Sequence, residues 1–215
     1  MLALHPSLQD TLYNDIQDTI GDRLPKYEDF PNLVYPLCVM LETLRMFPPV
    51  VGMPRLAVKD DLLLGKYYIP KDTSLIYDTV NLQRNPKYWG PGIDVFDPSR
   101  FDGRNTSEPK ENDNGEKERY VPEKIRMPSK GAFMPFSEGS RSCLGMSFVV
   151  GGGLIVGRKF AQVEVVACLV VLAQRWRIEL QEGWTKEKVW EVIDKSITII
   201  TLAPATEIPL VFKRR

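Results

Sequence analysis

From Ala132 to Gly145 the chain reads AFMPFSEGSRSCLG, and no other stretch limits the possible folds so tightly. It sets one cysteine, Cys143, in a loop punctuated by Gly139 and Gly145, which allow backbone geometry that a side chain would hinder. Arg141, two positions before the cysteine, brings a permanent positive charge beside the thiol. That charge favours the thiolate, the form that ligates metal. Phe136, seven positions before Cys143, is placed to cover the sulfur from water, and a dry, hydrogen-bonded thiolate is what tunes an axial iron ligand. A lone cysteine in a turn is more often a small buried core residue, so two further segments have to decide.

The first lies upstream. Leu33, Val34, Leu37, Met40, Leu41 and Leu44 recur at helical spacing until Pro48 and Pro49, which predicts a helix over residues 31 to 46. Glu42 and Arg45 share one face of it. An exposed pair at that spacing contributes only a few tenths of a kcal/mol, about 0.2–0.5. The second segment is Asp97-Pro98-Ser99-Arg100-Phe101, about fifty residues later.

Taken together these segments resemble the cytochrome P-450 family. Phe136, Gly139, Arg141, Cys143 and Gly145 fill the fixed positions of its F-x-x-G-x-R-x-C-x-G haem loop, Glu42 to Arg45 its E-x-x-R pair, and Pro98 to Phe101 its proline-x-arginine-phenylalanine segment. A helix containing Phe160-Ala161-Gln162-Val163-Glu164 follows in the family's order, so the resemblance covers essentially the whole chain.

The resemblance implies an α+β, mainly helical architecture with small β-sheets, the C-terminal part of the P-450 fold. It implies haem b (iron protoporphyrin IX) held by Cys143 as the axial iron ligand and catalytic thiolate, with Arg141 and Arg55 on the haem propionates. It makes Glu42, Arg45 and Arg100 a structural triad, with the guanidinium forks suited to bidentate carboxylate binding. The implied activity is a haem-thiolate monooxygenase, inserting one oxygen atom from O2 into an apolar organic substrate with electrons from an NADPH-dependent reductase. Alternatives are an inactive truncated piece without haem, or a haem-thiolate isomerase or dehydratase. Val50 to Met53 fall where the family lines its pocket. Localisation at the cytosolic face of the endoplasmic reticulum membrane belongs to a full-length relative whose anchor this chain lacks.

The family's fold takes roughly twice 215 residues, so the chain reads as one partial domain. Neither a helix carrying the family's oxygen-activating acid and alcohol groups nor a preceding substrate-recognition region is present. Zero net charge gives no reason to expect a nucleic-acid partner. No run of about 18 uncharged apolar residues could span a membrane. Cys38, Cys143 and Cys168 show no C-x-x-C spacing, which leaves no zinc site or disulfide framework and favours a reducing compartment; Cys38 and Cys168 read as core residues. His5 reads as a surface residue.

Helices are expected near 7–20, 78–85 and 158–176, and strands near 55–58, 62–69, 74–77, 177–181, 195–202 and 208–213, with a turn in the Gly65 to Pro70 region. Residues 103 to 130, rich in charge, Asn, Gly and Pro, read as a mobile surface loop. Residues 146 to 157, MSFVVGGGLIVG, depart from the family: deleting them would join CLG to RKFAQVE and restore its spacing. They read as an aberrant insertion from a retained intron or misplaced splice junction, which sequencing the spliced transcript decides. The insert would either move the following helix start away from the cysteine or extend that helix, at roughly 1 kcal/mol for each of Gly151, Gly152 and Gly153. Ser140, where many relatives have proline, should only loosen the loop.

Overall fold

A computed structural model describes residues 1–63, 65–104, 124–138, 142–143, 148–150, 153–155, 157–198 and 202–215. Helix α1 (Pro6–Ile20) begins on a proline, whose missing N–H would be unpaired there anyway. It buries the stripe Gln9, Leu12, Ile16 and Ile20. Helix α2 (Val34–Met46) is buried on nearly every side, with only Thr43 and Leu44 reaching solvent, as a helix running through a core must be.

Four short strands follow: β1 (Gly52–Leu56), β2 (Asp61–Leu63), β3 (Tyr67–Ile69) and β4 (Ser74–Asp78). β1 pairs antiparallel with β4, and β2 with β3, so the run expected over 62–69 is two strands folded back on each other. Short helices α3 (Thr79–Gln83) and α4 (Pro86–Trp89) are started by Asp78 and Asn85, whose side chains accept backbone N–H groups of the first turn. Asp97 does the same for the 3-10 turn Pro98–Phe101.

Within 146 to 157, β5 (Phe148–Val150) pairs antiparallel with β6 (Gly153–Ile155). The insert therefore does not lengthen the next helix: α5 (Gly157–Arg175) starts only at its last residue. Physically, Val149, Val150 and Ile155 favour strands and the glycines disfavour helix. Strand β7 (Trp176–Leu180), helix α6 (Lys186–Asp194), β8 (Ile197–Thr198), β9 (Leu202–Ala203) and β10 (Leu210–Arg214) complete the chain, β7 pairing with β10 and β8 with β9. The single strand expected over 195–202 is thus two short ones, and α6 lies where no helix was expected.

The architecture is α+β and mainly helical with small antiparallel sheets, as expected. Leu12 and Ile16 of α1, Leu37 and Leu41 of α2, and Val166 and Val170 of α5 share one core. Gln9, 4% exposed, ties α1 to the β7 edge: its Nε2 donates to Ile178 O at 2.7 Å and its Oε1 accepts from Ile178 N at 2.9 Å. An amide side chain here replaces a missing strand partner.

Two single-residue expectations need correcting. Cys168 is exposed, because the core-facing positions of α5 are Val166, Val170 and Ala173. His5 is half-buried and stacks on Phe96 at 6.2 Å between centroids; burial, then Lys186 and the N-terminal ammonium, lower its pKa. The ends of the 103–130 stretch are tied down: Gly103 donates to Lys124 O at 2.8 Å, Arg126 to Phe101 O at 2.8 Å, and Ile125 belongs to the core. Residues 105 to 123 of that stretch lie outside the described residues. Among the described residues no helix is long and apolar enough to cross a membrane.

Candidate functional site

Glu42 and Arg45, both 0% exposed, form a bidentate pair: Arg45 Nε donates to Glu42 Oε2 at 2.7 Å and Nη2 to Oε1 at 2.8 Å. Arg45 also donates to the carbonyls of Gln83 at 3.2 Å and Val95 at 3.3 Å, and its guanidinium lies 5.4 Å from the Trp89 ring centre. Arg100 reaches the same carboxylate less closely. Its Nε stands 3.7 Å from Glu42 Oε1, beyond hydrogen-bond length, while its other nitrogens donate to Trp89 O at 3.2 Å and Gly92 O at 2.5 Å. The remaining hydrogen bond to Glu42 comes from the Asp97 backbone N–H at 2.9 Å. Two charges in the core are thus paired and bonded, the condition under which burial is tolerable. Trp89 packs edge to face on Phe101 and Phe133, which are tilted against each other, and this cluster carries the α2 core to the start of the cysteine loop.

The loop itself has two faces. Ala132 and Phe133 are buried and Phe136 packs half-buried on the core. Cys143 is exposed, and its backbone N–H donates to Phe136 O at 2.9 Å, closing the loop between the two motif residues. Gly139, Arg141 and Gly145 lie outside the described residues. Arg55 of β1 does come to the loop: Nη2 donates to Ser137 Oγ at 3.1 Å, with the guanidinium 5.7 Å from the Tyr77 ring centre. Ser137 has φ 59°, a left-handed conformation that costs a non-glycine residue about 1–2 kcal/mol. The arginine thus holds a strained residue next to Phe136.

Two residues that sequence reasoning passed over join these parts. A helix leaves its last carbonyls unpaired, and Pro48 and Pro49 allow α2 no glycine cap. Gln83 and Arg84 supply the cap from elsewhere: Gln83 Nε2 donates to Leu44 O at 2.9 Å and Arg45 O at 3.2 Å, and Arg84 Nη2 to Met46 O at 2.9 Å. Gln83 Oε1 in turn accepts the Met134 N–H of the cysteine loop at 3.3 Å. Of the other cysteines, Cys38 is fully buried and desolvation pushes its thiol well above the usual range, so it is no ligand candidate. Among the described residues no cluster of His, Cys, Asp or Glu could hold a bare metal ion.

The cytochrome P-450 family model matches residues 1–149. The chain belongs to the cytochrome P-450 family. Cytochrome P-450 monooxygenase 124 of Postia placenta is 35% identical over 100% of the chain and 37% of its own length. Human cytochrome P-450 4F2 is 31% identical over 81% of the chain and 28% of its own length. Cyclooctatin synthase of Streptomyces melanosporofaciens is 29% identical over 83% and 32%. The chain spans about a third of the length of these relatives. The family match ends inside the 146 to 157 segment.

A haem is the cofactor that P-450 membership implies, and the described residues fit one. The loop offers a single exposed thiol on the side away from the core, and an arginine of β1 stands at the same loop.

Proposed function

We propose that the chain contributes the cysteine side of a haem-thiolate site, with Cys143 as axial ligand. The supporting observation is the exposed Cys143 thiol on a loop whose opposite face is packed on the core and whose closure is a Cys143 to Phe136 backbone hydrogen bond. Phe136 shields the sulfur, and Arg141 and Arg55 hold the propionates, with Gly139 and Gly145 at the fixed glycine positions of the family's haem loop. Glu42, Arg45 and Arg100 fix the helix behind the loop. When bound, haem b supplies the oxygen-activating chemistry that places one atom of O2 in an apolar organic substrate and releases the other as water, with electrons from NADPH through a reductase. Val50, about a third exposed, and the partly buried Val51 to Met53 follow α2 and fit an apolar ligand. The site belongs, in this reading, to an enzyme at the cytosolic face of the endoplasmic reticulum membrane.

A second reading, a chain that holds no haem, draws on β5 and β6. They stand between Cys143 and α5, so the positive end of that helix starts at Gly157 rather than directly after Gly145. Alkylation with iodoacetamide separates the two. Without haem, the exposed Cys143 and Cys168 should both react; added haem should protect Cys143 and leave Cys168 reactive. Equal labelling of Cys143 with and without haem would overturn the first reading. Turnover with and without reductase then distinguishes oxygen insertion from isomerisation or dehydration.

A further inference from the structure

We infer that Gln83 is a positioning residue for the Cys143 loop, transmitting the geometry of the Glu42–Arg45 pair to it. The inference rests on the haem-thiolate reading for its purpose, but not for its geometry. Gln83 is 0% exposed, and both ends of its amide are used. The Nε2 end donates to Leu44 O and Arg45 O, the Oε1 end accepts from Met134 N, and the Gln83 carbonyl accepts from Arg45 Nη1. One side chain therefore spans from the end of α2 to the loop two residues before Phe136. Phe136 is the residue whose carbonyl accepts the Cys143 N–H.

This linkage has a direction built into it. An amide flipped end for end would put Nε2 against the Met134 N–H and Oε1 against two carbonyls, clashing at every bond. The α2 carbonyls thus orient the amide, and the oriented amide fixes where Met134 N–H must lie. A residue that only filled the space would keep α2 in place but lose the loop register. Arg55 also reaches the loop, donating to Ser137 Oγ. With Gln83 removed, the segment from Met134 to Ser137 keeps the Arg55 bond and the packing of Phe136 on the core, so the loop should remain attached but less well placed.

The test uses the full chain with Gln83→Met, which has a similar shape and no hydrogen-bonding amide. Gln83→Asn, one methylene shorter, serves where Gln83→Met does not fold. Leu12→Ala is the control, a core substitution on α1 with no hydrogen bond to the loop to lose. The readouts are amide hydrogen exchange at Met134 relative to Val170 in the haem-free chain, and the fraction of the reduced, carbon monoxide-bound haem in the thiolate form. Loss of the single hydrogen bond should raise relative exchange at Met134 roughly tenfold and lower the thiolate fraction, whereas Leu12→Ala, which loosens the core that Val170 shares, should neither raise that ratio nor lower that fraction. An unchanged Met134 to Val170 ratio, or a thiolate fraction that falls equally in Leu12→Ala, would overturn the proposal. A wild-type chain with no thiolate band would overturn the haem reading instead, and the exchange ratio would still decide the role of Gln83.

Discussion

Removing Arg45 should cost far more than its place in a short motif suggests. Arg45→Leu would leave the Glu42 carboxylate in the core with the Asp97 N–H at 2.9 Å and the Arg100 Nε at 3.7 Å as its partners. Breaking a buried pair in this way costs about 3–5 kcal/mol, chiefly because the charge left behind loses its bidentate partner without regaining water. The two partners that remain pull the figure towards about 3, and the unpaired Gln83 and Val95 carbonyls push it up again. A loss of about 3–5 kcal/mol is a large part of a stability of about 5–15. The double variant Glu42→Leu with Arg45→Leu removes both fully buried charges and should be more stable than Arg45→Leu alone. Arg23→Ala is the internal contrast: Arg23 grips Asp29 with two 2.6 Å bonds, but its side chain is 46% exposed, so the unfolding midpoint should stay at the wild-type value. Urea unfolding followed by far-ultraviolet circular dichroism measures all three. A single Arg45→Leu loss below about 1 kcal/mol, or a double variant less stable than the single, would refute the reasoning.

Three further outcomes follow from the same structure. Gly103→Ala would put a Cβ 2.8 Å from Lys124 O, so the paired backbones must separate; a loss of about 1–3 kcal/mol is expected in thermal unfolding. At Asp102, burial pushes the carboxyl pKa up but hydrogen bonds from the Arg104 side chain and backbone outweigh it, so it lies below the usual range. Its stabilisation is therefore complete above the ordinary carboxyl pKa of roughly 3.9 and is lost as pH falls through the depressed folded value; wild-type and Arg104→Ala unfolding midpoints should converge on acidification. Gln9→Ala removes both bonds to Ile178 and should cost about 1–3 kcal/mol, with amide exchange rising first at Ile178.

The parts legible in the sequence are those set by local spacing. Glu42 and Arg45 meet because residues three apart on a helix must share a face, and α1, α2 and α5 follow apolar periodicity. Cys168 misled because α5 is apolar on more than its core face: Val165 and Leu172 are exposed along with it. Gln83 carried no signal, since its partners stand 38 to 51 positions away and a glutamine has no motif of its own. Helix α6 was missed for a local reason. Its charged residues Lys186, Glu187, Lys188, Glu191 and Asp194 hide a single buried position, Val189. The two strands in 146 to 157 were legible in residue preference, but the family's uninterrupted passage from loop to helix argued against expecting them.

Spectroscopy of the reduced chain with haem and carbon monoxide tests the Cys143 ligand most directly. The account predicts a thiolate-type Soret band in the wild type and in Cys168→Ala, and its loss in Cys143→Ala. A band that survives in Cys143→Ala, or that never forms in the wild type, would contradict it.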